Sequence, residues 1–228
     1  MTVQLLSNDA FAACSDEFVV SIARTKDEIR EAYRLRYQVY CVEREFEAGA
    51  TGVEMDEYDE HSRHILLTHP SSGDVIGTAR IVLPINDKLH DTFPMQRVCD
   101  GNVLRHLPLR SAGEISRFAI SKERRMSYEA TSLMRLGLVR GLVMLSQDAR
   151  VTHWLAVMER SLLRLLRTTA IHFQPAGPLV EYHGIRQPAH SNLAALLHRV
   201  RLEQSATWAY LTHNGRFSPT DEQDSLVA

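Results

Sequence analysis

The sequence predicts a mixed α/β domain with a largely antiparallel first half and a βα-connected second half. Three observations carry that prediction. Strand patterns follow one another over the first 120 residues, with a hairpin among them. Strand and helix patterns then alternate. No Pro/Gly/Ser-rich linker and no internal repeat divides the 228 residues. Elements in that order build one core of sheet under helices, so a single domain over residues 1–228 is expected, with a frayed tail from about residue 218.

Each element has its own signal. Glu17–Ala23 (EFVVSIA) reads as a first strand. Thr25-Lys26-Asp27-Glu28 has the Thr-x-x-Glu spacing of a helix capping box. Ile29, Tyr33, Arg36 and Tyr40 then recur at helical spacing, so a helix is expected over 26–40. From Cys41 to His61 the periodicity is lost, and an irregular acidic loop is expected. His64–His69 and Val75–Leu83 flank the turn cluster Pro70-Ser71-Ser72-Gly73-Asp74 and read as a hairpin. Asn86–Arg110 reads as irregular and partly helical. Glu114–Ile120 is a strand, Ser127–Gln147 a long helix, Thr152–Val157 a strand and Ser161–Thr169 a short helix. His172–His183 is extended but broken by Pro175 and Pro178, and Ser191–Val200 is helical.

Composition excludes several classes. A net charge of −2 speaks against a dedicated nucleic-acid binder. The 44% hydrophobic and 24% charged content is that of a globular protein. No apolar run reaches the roughly 18 residues of a membrane span. Cys14, Cys41 and Cys99 form no CxxC, which fits reduced thiols and a cytoplasmic location. Met1–Cys14 lacks the basic region of a signal peptide. The eleven histidines show no zinc spacing, so no metal is expected.

Two segments point to chemistry. Glu54, Asp56 and Asp59 place three carboxylates within six residues, just before an apolar strand. Such a group could bind a metal, grip an ammonium, or tune a neighbour's pKa for base work; a solvated loop fits it equally well. Glu114, Ser116 and Arg117 put charge into a strand that otherwise reads as core. Buried charge is costly unless paired, so Glu114 is either a base or anchor, or part of a structural ion pair with Arg117. Strict alternation sends Glu114 and Ser116 one way and Arg117 the other, unless a bulge intervenes. Arg80, in Gly77-Thr78-Ala79-Arg80, is an edge-strand arginine or a site residue. Lys122, Arg124 and Arg125 form a basic turn before the long helix, suited to a phosphate group or an acidic protein surface, though it lacks phosphate-loop glycines.

In this order the motifs resemble the autoinducer-synthase branch of the GCN5-related N-acyltransferase (GNAT) superfamily. Arg36-Tyr37-Gln38-Val39-Tyr40 resembles R-x-x-V-F. Glu54-x-Asp56-x-x-Asp59 resembles E-x-D-x-(F/Y)-D, Gly77-Thr78-Ala79-Arg80-Ile81 resembles G-(S/T)-x-R-L, and Glu114-Ile115-Ser116-Arg117-Phe118 resembles E-(L/I)-S-R-F. Cys41-Val42-Glu43-Arg44-Glu45-Phe46 and Gly177-Pro178-Leu179-Val180-Glu181-Tyr182-His183-Gly184-x-Arg186-Gln187-Pro188 are similar instead to the N-acyl amino acid synthases and the acyltransferases associated with PEP-CTERM/exosortase systems. Phe46 stands where homoserine lactone synthases usually carry tryptophan.

The resemblance implies a GNAT-like, mostly antiparallel, V-splayed sheet flanked by helices, with the Glu114–Ile120 strand in its middle. It implies an N-acyltransferase moving a long-chain acyl group from a thioester, on acyl carrier protein or coenzyme A, to a small amine or amino acid. No tightly bound cofactor and no covalent enzyme intermediate are needed. Glu54, Asp56, Glu114 and Arg117 would carry the catalytic work. Arg36, Phe46, Asp59, Arg80 and Phe118 would bind substrate, with Arg80 and Arg117 holding the polar cluster together and available to the acceptor carboxylate. Lys122, Arg124 and Arg125 would meet the donor phosphate or the carrier protein. The alternatives are an acyl-homoserine lactone synthase using S-adenosylmethionine, a coenzyme A-dependent acetyltransferase, and a non-enzymatic acyl or carrier-protein binding module. An acetyltransferase should show an R/Q-x-x-G-x-(G/A) loop, and Arg124-Arg125-Met126-Ser127-Tyr128 has no glycine.

Overall fold

The structure, a computed structural model, describes residues 17–46, 51–123 and 128–218. Strand β1 (Val19–Ile22) leads into helix α1 (Lys26–Tyr37). Strands β2 (Ser62–Thr68), β3 (Val75–Val82) and β4 (Ala112–Ile120) follow, then helix α2 (Tyr128–Ala149), strand β5 (His153–Glu159) and helix α3 (Arg160–Arg167). The chain continues through two-residue strands β6 (Gln174–Pro175) and β7 (Val180–Glu181), strand β8 (Ile185–Asn192), and helices α4 (Leu193–Glu203) and α5 (Ser205–Thr212). All strands join one sheet in the order β1-β2-β3-β4-β5-β8-β6, with β7 on β8. Every pairing is antiparallel except β4 with β5. The expected architecture, a mostly antiparallel mixed sheet flanked by helices, is present.

Patterning explains the layers. Ile65 and Leu67 of β2 pack with α2, while Leu66 between them packs with Ala32 and Leu35 of α1 on the other face. All eight residues of β3 are buried, as a strand covered on both faces requires. Gly137 and Gly141 let α2 lie close on the sheet. A Cβ on Gly137 would sit 2.5 Å from Phe18 Cε2, and one on Gly141 would collide with Ile65 Cγ2 and lie 3.1 Å from Val20 Cγ1.

The parallel pair is short. β4 and β5 are bonded only over Ala112–Ile115 against His153–Ala156. Beyond Ile115 the strands part into a V, and a 310 Å³ cavity opens between them. It is lined largely by apolar groups, among them Val39, Leu142, Trp154, Leu162, Leu166 and Phe173.

Several boundaries differ from the sequence reading. The first helix leaves α geometry at Tyr37 and continues as a π-helical turn, Gln38–Glu43. The acidic loop contains a capped 3-10 turn, Glu57–His61. The segment read as extended, 172–183, holds only β6 and β7. The real strand beside it, Ile185–Asn192, was not read, because Arg-Gln-Pro-Ala-His-Ser has no apolar alternation and carries Pro188. The helix expected from Ser191 begins at Leu193, because the Asn192 side chain accepts from the Ala195 N–H and caps it. Helix α5 had no expectation. Ser127, Arg124, Arg125 and the tail beyond Ser218 lie outside the described residues.

Gly141→Ala tests the α2–sheet contact. Overpacking costs about 1–3 kcal/mol, and the helix-propensity gain of about 1 kcal/mol offsets part of it. The expected result is a lower urea midpoint with an unchanged slope, measured by equilibrium unfolding.

Candidate active site

Three arginines and three acids meet on the α1 face of the sheet. The acidic loop reaches them because its spacing caps a turn. Asp56 accepts from the Tyr58 N–H at 3.0 Å, and Asp59 accepts from the Asp56 N–H at 2.8 Å. This reciprocal cap aims Asp59 inward, while the Glu54 N–H donates to the Tyr33 carbonyl of α1 at 3.1 Å.

Arg36 is fully buried. It donates through Nε to Glu54 at 2.5 Å, and through both terminal nitrogens to Asp59 at 2.7 and 3.0 Å. Arg80, also fully buried, grips Asp56 bidentately at 2.5 and 3.0 Å, reaches Asp59 at 2.8 Å and donates to Ser116 Oγ at 3.0 Å. Arg117 donates to Glu54 through Nε and Nη2, and to Asp56 at 2.9 Å. The formal charges balance, three against three.

A bulge brings Arg117 into this group. Thr78 pairs with Ala119 and Arg80 with Ser116, so Arg117 and Phe118 together oppose Ala79. Arg117 takes a left-handed conformation, φ +50°, which costs a non-glycine residue roughly 1–2 kcal/mol. Its two carboxylate partners hold it there, with its guanidinium 5.6 Å from the Tyr40 ring centroid. The alternation expected from sequence breaks at this residue.

Glu114 stands apart from the neutralised group. It is 2% exposed, and its one hydrogen bond is accepted from the Met95 N–H at 2.8 Å. Burial, only partly opposed by that bond and by Arg80, raises its pKa to about 8. The other acids go the opposite way. Burial pushes Asp59 up, but the bonds and charges of Arg36 and Arg80 outweigh it and hold the carboxyl well below the usual range. Glu54 and Asp56 are lowered against the same burial, by Arg36 with Arg117 and by Arg80 with Arg117. Buried His64, beside Tyr33, falls to about 4 through burial and the neighbouring Arg36.

A 110 Å³ cavity lies over the group. Asp56, Arg80, Glu114, Ser116 and Arg117 line it, and Phe46, Tyr182, His183 and Arg186 close its rim. Arg36, Glu54 and Asp59 line neither this cavity nor the larger one; they hold the residues that do. Phe118 lines the larger, apolar cavity rather than this one. Tyr40, Ile115, Ser116, Arg117, Val157 and Arg186 border both. Neither cavity is lined by a cysteine. Lys122 is exposed, and its backbone N–H and the Ser121 hydroxyl both donate to the Glu43 carboxylate, at 2.8 and 2.6 Å.

Sequence reading missed two features. One is the β7–β8 hairpin at the cavity rim, which only the topology places there. The other is a basic groove of 720 Å³ on the far side of α3, lined by Arg160, Arg164, Arg167 and Arg199 with no carboxylate in its wall. The i, i+4, i+7 spacing of the α3 arginines was the available signal.

Comparisons with known proteins agree with this geometry. Residues 35–135 match the model of the acetyltransferase (GNAT) domain. That segment of the chain carries a GNAT-type acetyltransferase domain match. An acyl-homoserine-lactone synthase of Vibrio anguillarum is 26% identical over 147 residues, 63% of this chain and 74% of that protein. Among solved structures, the coenzyme A-dependent acyl-homoserine lactone synthase BjaI, with SAM and isopentyl-CoA, superposes with a TM-score of 0.61 at 18% identity, covering 89% of this chain and 91% of that one. The N-acyl amino acid synthase FeeM, from uncultured soil microbes, gives 0.59 at 15% identity, covering 82% and 97%. At these identities the two structures speak for the fold alone. Among the described residues, no helix is long and apolar enough to cross a membrane.

Two predictions follow from the charges. Asp59→Asn leaves Arg36 and Arg80 short of a counter-charge in a dry site, and the expected loss is about 3–5 kcal/mol, read by denaturant unfolding. Glu114 sets a pH dependence. Its folded pKa of about 8 lies above the ordinary 4.5, so between those values the unfolded chain binds fewer protons than the folded one. Stability contributed by this group therefore falls as pH rises from 4.5 to 8 and is flat above. Glu114→Gln should remove that slope, at most about 1.4 kcal/mol per pH unit, in unfolding measured at pH 5, 6, 7 and 8.

Proposed function

We propose that this acyltransferase moves a long-chain fatty acyl group from an acyl thioester to the amine of a small acceptor, an amino acid. The observation that carries the reading is the meeting of two cavities at the β4 bulge. One is apolar and suits an acyl chain; the other is polar and contains a single carboxyl that no arginine neutralises.

Transfer is direct. The acceptor arrives as an ammonium and gives one proton to ionised Glu114, in contact or through a water; a base with a pKa near working pH is suited to this step. The neutral amine attacks the thioester carbonyl carbon, and the carbonyl π electrons move to oxygen. Backbone N–H groups at the bulge, around Arg117 and Phe118, stabilise that oxyanion. Collapse breaks the C–S bond, the nitrogen loses its second proton, and the thiolate leaves with a proton. An amide, a free thiol and one released proton balance the step. Asp56, held ionised by Arg80 and Arg117, supplies negative charge for the incoming ammonium. Arg36, Glu54 and Asp59 position these groups.

The donor favoured is acyl carrier protein. Its acidic surface suits the arginine face of α3 as well as the Lys122–Arg125 turn expected from sequence, where Glu43 already occupies the N–H and hydroxyl groups of residues 121 and 122. A second reading, an acyl-homoserine lactone synthase using S-adenosylmethionine, is favoured by the likeness to the Vibrio anguillarum synthase. The acceptor cavity, 110 Å³, is the smaller of the two that meet at the bulge, which favours a compact acceptor.

Purified protein given acyl-carrier protein or acyl-coenzyme A, a mixture of amino acids and S-adenosylmethionine should yield N-acyl amino acids by mass spectrometry. Glu114→Gln should lower the rate about 100- to 10,000-fold, and the rate with the carrier protein should fall as salt rises. Acyl-homoserine lactone as the product would establish the second reading, and no acylated product from either donor would refute both.

A further inference from the structure

The acceptor's carboxylate needs a cation, and Arg36, Arg80 and Arg117 are already committed. Arg80 uses Nε, Nη1 and Nη2 on Ser116, Asp56 and Asp59, and Arg117 lies between Glu54 and Asp56. With three acids against three arginines, that group has no positive charge left over. Sequence resemblance pointed to Arg80 and Arg117 for this task, and their geometry speaks against it.

Arg186 differs in both charge and placement. It stands on β8 just past the β7–β8 turn, where His183 and Gly184 have positive φ of +49° and +95°. Its side chain is 16% exposed. Nε donates to the Tyr182 carbonyl at 2.6 Å and Nη2 to the His183 carbonyl at 3.3 Å, which fixes the plane of the guanidinium. Nη1 has no hydrogen-bond partner among the described residues. Among the described residues its ion-pair partner is Glu159, which is 3.4 Å from Nη2, is 42% exposed, and is shared with Arg44 at 3.3 Å. Two guanidinium charges thus share one half-exposed carboxylate among the described residues at the seam of the two cavities.

We infer that Arg186 is the specificity-determining residue for the acceptor, its guanidinium binding the α-carboxylate of an amino acid whose amine lies towards Glu114 and Asp56. The inference rests on the amino-acid reading proposed above. Both ends of such a ligand find opposite charge on the walls of one cavity. The stacked rings of Phe46 and His183, 5.9 Å between centroids, stand at its rim. A simple amine would satisfy the acidic end alone, so discrimination falls to Arg186. A charge-assisted hydrogen bond of this kind is worth about ten- to a hundred-fold in affinity.

The test compares an amino acid with its decarboxylated amine, using one fixed acyl donor, in the wild-type protein, Arg186→Gln and Arg186→Lys. The wild type should prefer the amino acid in kcat/KM. Arg186→Gln should cut that preference about ten- to a hundred-fold, mainly through KM for the amino acid, and Arg186→Lys should restore part of it. If Arg186 only braces the hairpin, both acceptors suffer alike and the preference stays, which overturns the inference. An unchanged preference with full activity, or a wild type that favours the amine, overturns it too. A wild type that acylates neither acceptor instead refutes the amino-acid reading itself.

Discussion

The network of Arg36, Arg80 and Arg117 with Glu54, Asp56 and Asp59 is the constraint on which the rest of the structure depends. Each ion would cost several kcal/mol to bury alone. Together they form a neutral set in which nearly every donor finds a carboxylate. The members come from α1, the acidic loop, β3 and β4, so the set forms only when these four segments have docked. Apolar residues in the same place could be as stable. The charges add registry: β3 must present Arg80 opposite Ser116, and β4 must bulge for Arg117 to reach Glu54.

That same network divides the acids into two kinds. Glu54, Asp56 and Asp59 are held as carboxylates by guanidinium contacts that outweigh their burial. Glu114, on β4, is more deeply buried and has a single backbone N–H for a partner. Its pKa moves the other way because burial outweighs that one bond and the nearby arginine charges. Neutral and ionised carboxyls thus stand side by side, and the difference lies in which of them an arginine touches. A proton acceptor has to be free to change charge, and of these four acids Glu114 alone has its pKa raised towards neutrality, which is why the proposed mechanism gives it that role and leaves Asp59 to positioning.

Much of this was legible in the sequence because it is carried by local spacing. The acids crowded into Glu54-x-Asp56-x-x-Asp59 stood out, although their capped turn was read as irregular loop, and apolar runs on either side of a turn cluster marked β2 and β3. Charge inside β4 announced a polar site, since isolated charge does not survive in a core strand. The illegible parts are those that depend on distant residues. Nothing local to Arg117 announces a left-handed bulge; its ion partners, about sixty residues earlier, impose it. Strand β8 has no apolar alternation because its pairing with β5, not its own pattern, makes it a strand. Arg186 stood in a segment singled out by resemblance, but its place at the cavity comes from the hairpin that β8 forms with β7 beside walls built by other segments.

The sheet's single parallel pairing connects these charges to an apolar cleft. A fully paired β4 and β5 would seal the sheet and leave the polar group buried beneath it. Because the ladder stops at Ile115, the strands part where β4 bulges, and the residues there face both an apolar cleft and a polar one. A thioester has the same dual character, with a hydrocarbon on one side of its carbonyl and a reactive, polarised carbon on the other. The bulge in the β3–β4 pairing lies just past the point where the β4–β5 ladder ends, so the turn that brings Arg117 into the charged network also sets it at the junction of the two cavities.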